Sequence, residues 1–398
     1  PALAKGLVDR DIIRVVTPGT VISSSMLEDS KNNYLCAVYA DSARYGLCLC
    51  DLSTGEVYAT AFPAGGENLD HLKNELARFH PAEALLSAGA WEVDGLRDFL
   101  KERLDCPCEN GGEGRFRPDV ARALAEKQFQ SGLDGLGAGE EAAVQAAGAL
   151  LSYLYETQKT DLGHISHFTY YTTGQFMELD LTARRNLELT ETLRGKGKRG
   201  SLLWVLDKTK TAMGARCLRG FLERPLLDVN AIRRRQGAVQ ALVDETMTRE
   251  ELLVALTGIG DMERLMGRIV YGTAGGRDLA ALKNAALKLP AVRAQLEGFE
   301  KGRLRQLHDQ LDTLSDIAAL IGQTLVDEPP FSVREGEMIR EGYDPEVDRL
   351  RDILHGGKGI IASMEAAEKE KTGIRTLKIG YNKVFGYYIE VSNSFKEL

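Results

Sequence analysis

The sequence lacks an apolar run that approaches the length of a membrane-spanning helix, and its N-terminus lacks the pattern of a signal peptide. It also lacks an excess of positive charge, because 58 Asp and Glu residues outnumber 50 Lys and Arg residues and give a formal net charge of -8. This balance argues against wholesale coating of nucleic acid but permits a local basic surface. We therefore expect a cytosolic protein that makes no membrane contact.

Cysteine is scarce, and its spacing is not that of a usual zinc site. The six cysteines include Cys48 with Cys50, two apart in an apolar run, and the close pair Cys106 and Cys108. Neither pair has the two-residue spacer or the neighbouring histidines typical of structural zinc. In a cytosolic chain, we predict that the cysteines are small buried hydrophobic residues.

A phosphate-binding loop is also missing. The closest approach to G-x-x-x-x-G-K-[ST] runs from Gly195 to Gly200, but Ser201 occupies the lysine position and no apolar strand precedes the segment. We interpret it as a flexible basic loop, and we predict that this chain holds no nucleotide or other cofactor.

The first part of the chain has the pattern of an α/β layer. Runs rich in aliphatic and aromatic residues predict an antiparallel meander of strands at 34–40, 45–52 and 56–62. A helical pattern follows around residues 69–79, and a buried strand is predicted at 82–87.

The pattern in the rest of the sequence predicts an almost entirely helical region. A helix is predicted at 140–158, followed by others at 230–244, 249–256, 261–270, 277–287, 304–311 and 315–326. A longer one is predicted at 345–371, with a single apolar seam formed by Val347, Leu350, Leu354, Gly357, Ile361 and Met364. Two short strands, 377–381 and 387–391, end the pattern. The predicted fold class is thus multidomain, α/β plus all-α.

One helix carries a distinctive string of residues from Leu206 to Leu226. Thr211 is a good N-cap, and Pro225 closes the helix. We predict a buried apolar face (Met213, Cys217, Leu218, Phe221 and Leu222) and a basic outer face (Arg216, Arg219 and Arg224).

Several acids and histidines are candidate metal ligands. Asp41, Asp51 and Glu56 lie at strand ends and a turn of the α/β region, and His164 and His167 are three residues apart. Two-metal phosphoryl chemistry requires several carboxylates that converge on ions about 4 Å apart. We expect structural carboxylates and predict no metal site or catalytic residue, with a metal-dependent nuclease kept as the alternative.

The strings at 206–226, 341–350 and 377–391, and a weaker one at 14–20, resemble signatures of the MutS family of DNA mismatch-recognition proteins, in the same order. The resemblance implies a chain that begins after the mismatch-binding domain, ends inside the clamp domain and lacks the ATPase domain. It implies a linker at 1–17, a ribonuclease-H-like connector domain at 18–160, a helical core with a long lever helix at 161–363, and the beginning of a small β clamp at 364–398.

The family resemblance also implies the function. The full-length protein is expected to be a DNA-dependent ATPase, homodimeric, cytoplasmic and nucleoid-associated, which binds double-stranded DNA and recruits MutL. ATP and magnesium are expected only in the missing ATPase domain, so this fragment is not expected to be an enzyme. A family paralogue acting on DNA junctions is a further alternative.

DNA-backbone contact is expected from basic residues of the incipient clamp. The candidates are Lys371, Arg375, Lys378, Lys383 and Lys396, which lie near Tyr381, Tyr387 and Tyr388. Exposed ammonium and guanidinium groups suit sequence-independent phosphate contact. A hairpin whose tyrosines pack and whose lysines keep it soluble explains the same residues, and the pattern alone leaves both interpretations open.

Overall fold

A computed structural model describes residues 13–129, 131–384 and 386–395 of the chain. The fold is mixed α/β, with about half of the residues in helices. It divides into two compact units, one up to Ala319 and one from Leu320 onward. Within the described residues, no helix is long and apolar enough to cross a membrane.

The first unit begins with a mixed sheet. Its elements are β1 (Tyr34–Ala40), β2 (Arg44–Asp51), β3 (Glu56–Pro63), α1 (Gly66–Phe79), β4 (Glu83–Leu86), α2 (Ala88–Trp91), α3 (Leu96–Asp98), β5 (Cys108–Asn110), α4 (Gly112–Arg115), α5 (Pro118–Gln128), α6 (Glu141–Gln158) and β6 (Thr169–Tyr170). The strand order is β5-β4-β1-β2-β3-β6. β1, β2 and β3 are antiparallel, whereas β4 is parallel to β1, β5 to β4 and β6 to β3. The predicted meander and the buried strand after the first helix are confirmed.

The alternation of side chains along the central strands explains why the sheet lies between two hydrophobic cores. Leu35 and Ala37 point into a core shared with α6, while Cys36 and Val38 point into a second core shared with α1. Both faces of the sheet are therefore covered, as the continuous apolar character of these strands requires.

The rest of the first unit is helical. Its helices are α7 (Leu181–Asn186), α8 (Leu202–Leu206), α9 (Ala212–Glu223), α10 (Val229–Asp244), α11 (Thr246–Leu256), α12 (Met262–Val270), α13 (Gly276–Ala286), α14 (Leu289–Leu296) and α15 (Gly302–Gln310), and α16 (Ser315–Thr324) contains the division between the units. The helices predicted in this region are confirmed to within a few residues. A small core forms around Ile259, Ala285, Leu289 and Val292.

The predicted orientation of α9 is wrong, although its cap is confirmed. The Thr211 hydroxyl accepts a hydrogen bond from the Gly214 amide. Yet Arg216 and Arg219, predicted to face outward, are buried, and Phe221, predicted to be buried, is 43% exposed. The reason is electrostatic, because Asp261, 45 residues away, pairs with Arg216, and Glu223 of the same helix pairs with Arg219.

The second unit contains α17 (Pro345–Thr372) and a hairpin of β7 (Lys378–Asn382) and β8 (Gly386–Glu390). Asp344 caps α17 by accepting hydrogen bonds from the Glu346 and Val347 amides. The helix ends at Gly373, whose φ of 71° favours glycine. The predicted long helix is confirmed as one continuous element, roughly 42 Å long at 1.5 Å per residue.

The cysteines follow their prediction with one exception. Cys36, Cys48, Cys50 and Cys106 are buried and Cys108 is half-buried, but Cys217 is exposed on α9. This exception has the same origin as the reversed face of α9. All six are free thiols.

Candidate functional site

The predicted DNA-contact residues lie around the hairpin of the second unit. Lys371 in α17, Arg375 in the connection, and Lys378 and Lys383 of the hairpin are all exposed. Lys396 lies outside the described residues. Lys378 begins β7 and Lys383 follows its last residue, so the two are about 16 Å apart along the strand direction at 3.3 Å per residue.

Exposed aromatic rings cover one part of this hairpin. Tyr381 pairs with Tyr387 across the strands, and their ring centroids are 5.0 Å apart. They remain 62% and 65% exposed, respectively. Basic and aromatic side chains are thus presented together to solvent, an arrangement that suits contact with phosphates and sugars.

The hairpin is fastened to the end of α17 by one acidic side chain. The Glu365 carboxylate accepts a hydrogen bond from the Ile379 amide at 3.1 Å and pairs with Lys369 at 2.5 Å. The hydrogen bond from Lys369, followed by that from the Ile379 amide, lowers the pKa of Glu365. The Glu365 carboxylate thus joins the start of β7 to α17.

The predicted seam of α17 is largely open within its unit. Leu350 is 52% exposed, Leu354 80% and Met364 57%, whereas Val347 and Ile361 are half-buried. Gly357 lies in the middle of the helix. The residues share the helical spacing that was predicted, and no contact among the described residues assigns them a partner surface.

A second arrangement, absent from the sequence prediction, links α9 to the start of α12. The Arg216 guanidinium donates to both oxygens of Asp261, at 2.6 and 2.8 Å, and to Glu263 at 2.6 Å. The side chain of Arg216 is only 4% exposed. Although burial raises the pKa of Asp261, the hydrogen bond and charge of Arg216 lower it overall.

The same junction reaches the segment before β1. Arg264, 2% exposed, donates to the carbonyls of Glu28 and Lys31, at 3.2 and 2.6 Å. Arg216 donates to the Asp29 carbonyl at 3.0 Å. We call Arg216, Asp261, Glu263 and Arg264 the arginine junction, since it ties the helical part of the first unit to the sheet part.

Glycine allows α12 to approach the sheet closely. A Cβ atom on Gly267 would lie 2.6 Å from the Ser53 carbonyl oxygen in the turn between β2 and β3. Only a residue without a side chain permits this approach. The sequence contains little that predicts the junction, because Arg216 and Asp261 are 45 residues apart. The one local feature is Asp261, a typical N-cap residue before α12.

The three candidate nuclease carboxylates do not all converge on one place. Asp51 and Glu56 are joined by the Asn32 amide, which donates to each at 2.9 Å, while Asp41 lies at the opposite end of the β1–β2 pair. Asp51 also accepts from the Ser53 hydroxyl at 2.7 Å. Burial is the main cause of the raised pKa of Glu56, and the charges of Glu263 and Asp51 raise it further. These bonds give the two acids structural roles, and in the described part of the chain no group of three His, Cys, Asp or Glu side chains could hold a metal ion.

The histidines and the basic loop also have structural partners. His164 Nε2 lies 2.9 Å from the Leu52 carbonyl, and His167 Nδ1 lies 3.0 Å from the Ser131 hydroxyl. The segment from Gly195 to Gly200 has no helix or strand, which agrees with a loop, and Lys198 pairs with Asp207 at 2.5 Å.

Comparison with known proteins gives this architecture a family. The model for MutS domain II matches residues 33–166, and the model for MutS domain III matches residues 182–388. The DNA mismatch repair protein MutS of Ruminiclostridium cellulolyticum is 44% identical over the whole chain, that of Lachnoclostridium phytofermentans 43%, and that of Symbiobacterium thermophilum 45% over 98% of it. The chain covers 45%, 42% and 45% of these relatives, so it spans less than half of their length. The matched residues include most of the sheet, the helical part, all of α17 and most of its hairpin, and the chain therefore belongs to the MutS family.

Proposed function

We propose that this chain acts in DNA mismatch repair as the structural and allosteric middle of a MutS protein. Its first part would be a ribonuclease-H-like connector domain, residues 18–160, and residues 161–363 a helical core with its lever. The sheet supports the first assignment, because three antiparallel strands are followed by β4 and β5, each added in parallel beside β1. No step of bond making or breaking is assigned to these residues.

The observation that carries the proposal is the link between α17 and the hairpin. A continuous helix transmits displacement along its axis, and the Glu365 bond to Ile379 couples its end to β7. Motion of the helix would thus reorient a hairpin that carries Lys378, Lys383 and exposed tyrosines. We assign residues 364–398 to the beginning of a clamp that contacts double-stranded DNA through its phosphates.

The remaining parts of the proposal concern the full-length protein. ATP and magnesium would bind an ATPase domain outside this chain, in a homodimer located in the cytoplasm and associated with the nucleoid. The connector would form part of the surface that recruits MutL. Within this chain, the arginine junction supports transmission of motion between the sheet part and the helical part, because buried hydrogen bonds hold the two parts together.

The lever is tested by Gly357→Pro in a full-length MutS that contains this chain. Proline removes a helical hydrogen bond and costs about 3 kcal/mol in a helix interior. We expect DNA binding without nucleotide to persist, while ATP-dependent release from DNA, measured by stopped-flow fluorescence anisotropy, slows by at least about tenfold.

Gly357→Ala is the matched control, since alanine favours the helix and should leave release unchanged. Circular dichroism and a DNA-binding isotherm establish that both variants are folded. Normal ATP-dependent release in the proline variant would show that α17 does not transmit the nucleotide signal.

A further inference from the structure

A large cavity of the first unit lies between the sheet part and the helical part. It measures about 1390 Å³ and is bordered by β3 and α1 on one side and by α7 and α9 on the other. Its lining contains eleven Lys or Arg side chains and seven Asp or Glu side chains. Positive charge therefore exceeds negative charge by four, although the whole chain carries a formal net charge of -8.

Aromatic rings form the floor against which two of these arginines lie. The Arg78 guanidinium is 4.6 Å from the Phe79 ring and 5.7 Å from the Phe176 ring. The Arg224 guanidinium is 5.5 and 5.9 Å from the same two rings. Stacking holds both groups by their faces, which leaves the hydrogen-bonding edges for other partners. We call Arg78, Arg184, Arg219 and Arg224, which line this cavity, the arginine cleft.

Hydrogen-bond acceptors are too few for these donors. Arg78 and Arg219 are 6% and 9% exposed, and the Nε atom of each is buried without an acceptor in the described part of the chain. Buried charged donors are normally satisfied, so these two mark places where an acceptor is missing.

The nearby acids are already engaged. Glu75 pairs with Arg78 and accepts from the Tyr171 hydroxyl at 2.5 Å, and Glu223 pairs with Arg219 at 3.3 Å. Two further carboxylates act on the cleft, Glu56 on Arg224 and Asp180 on Arg184. The positive excess therefore belongs to the whole cavity lining, in which eleven basic side chains face seven acidic ones.

The titration of Arg184 is consistent with this excess. Its pKa is lowered to about 10, chiefly by burial; Glu223 raises the pKa, and the charge of Arg78 lowers it. The charge of a bound anion would offset both unfavourable effects on the charged form of Arg184.

We propose that the arginine cleft binds a compact phosphorylated anion of the diphosphate class. Guanidinium groups bind phosphate oxygens through paired, charge-assisted hydrogen bonds, and the positive excess of the cavity lining favours an anion that carries several charges. A metal cation is disfavoured by the same charge. The arginine cleft contains no residue of the hairpin, so the outcome of its test is independent of the proposed DNA contact.

The test uses isothermal titration of pyrophosphate into the 398-residue chain at constant ionic strength. We expect saturable binding at one site, weakened about tenfold by Arg224→Gln, which removes one charged hydrogen-bonding edge. The control is Arg233→Gln, which removes the same charge from an exposed position of α10 outside the cavity lining and should leave the affinity unchanged. Absence of saturation up to about 5 mM, or equal weakening by both substitutions, overturns the proposal.

A second measurement needs no variant. Phenylglyoxal modifies accessible arginines, and mass spectrometry then reports the extent of modification at each position. Pyrophosphate should protect Arg224 and Arg184 but not Arg233, and uniform modification with and without pyrophosphate contradicts the assignment.

Competition distinguishes the sources of the phosphate group. Tighter binding of ADP than of pyrophosphate identifies a nucleotide as the ligand, and equal binding identifies the diphosphate alone; either supports the site. Displacement of pyrophosphate by a single-stranded oligonucleotide at equimolar concentration instead identifies a path for nucleic acid and overturns the assignment to a compact anion.

Discussion

At the residue scale, the buried charge of Arg216 determines how α9 packs. Its side chain could have faced solvent, but Asp261 and Glu263 receive it at hydrogen-bonding distance. Removing one partner from such a pair leaves a buried charge short of hydrogen bonds. The junction is therefore sensitive to any change that neutralises Asp261.

Asp261→Asn tests this sensitivity and its dependence on pH. Asparagine keeps the N-cap of α12, so the substitution removes mainly the charge. We expect a loss of about 2 kcal/mol in the free energy of unfolding near pH 7, measured by urea denaturation.

The loss should depend on pH in one direction. Because the pKa of Asp261 is lowered in the fold, its charge stabilises the native state above the unfolded pKa of about 3.9. This contribution disappears as the pH falls through the folded value, so wild type and variant should converge below about pH 4. Asp309→Asn, at an exposed pair with Arg305, should change stability little at any pH. A constant difference between wild type and D261N down to acid pH would show that the charge is not the cause.

At the element scale, α12 lies closer to the β2–β3 turn than any side chain would permit. Gly267→Ala would place a methyl group 2.6 Å from a backbone oxygen. We expect a loss of about 1–3 kcal/mol in the free energy of unfolding, because neither element can move without disturbing its neighbours.

Gly237→Ala provides the matched control for G267A. Gly237 lies within α10, and an added Cβ there would have no neighbour within 4 Å. Alanine should stabilise this helix by about 0.5–1 kcal/mol, so the two substitutions should shift the thermal unfolding midpoint in opposite directions. A shift in the same direction would mean that helix propensity, and not the contact with the turn, decides the effect.

Elements with strong periodicity could be predicted from the sequence, and those held by distant contacts could not. The strands at 34–40 and 56–62 follow from runs of aliphatic and aromatic residues, and the long helix ending near Thr372 follows from the spacing of its apolar seam. The short edge strands β5 and β6 were not predicted. Their own residues have no strong strand pattern, and they are stabilised by pairing with β4 and β3, respectively. The prediction of which face of α9 is buried was wrong for the same reason. The spacing of hydrophobic residues in the helix contains no information about an acid 45 residues away.

At the scale of the whole molecule, the negative net charge and the proposed DNA contact are compatible only if binding is local. Lys378 and Lys383 lie on one small hairpin, whereas most of the chain would repel phosphate. The number of phosphates contacted, rather than the net charge, then fixes the dependence of affinity on salt.

The salt dependence of double-stranded DNA binding therefore tests the predicted contact residues. Each phosphate neutralised contributes about 0.9 to the slope of log K against log salt. Lys378→Gln combined with Lys383→Gln should reduce the magnitude of that slope by about 2 and weaken binding at low salt, as measured by fluorescence anisotropy. Lys127→Gln, which removes an exposed charge from α5 far along the chain, should leave the slope unchanged. If the double variant keeps the wild-type slope, the hairpin lysines do not touch phosphate, and they serve only to keep the hairpin soluble.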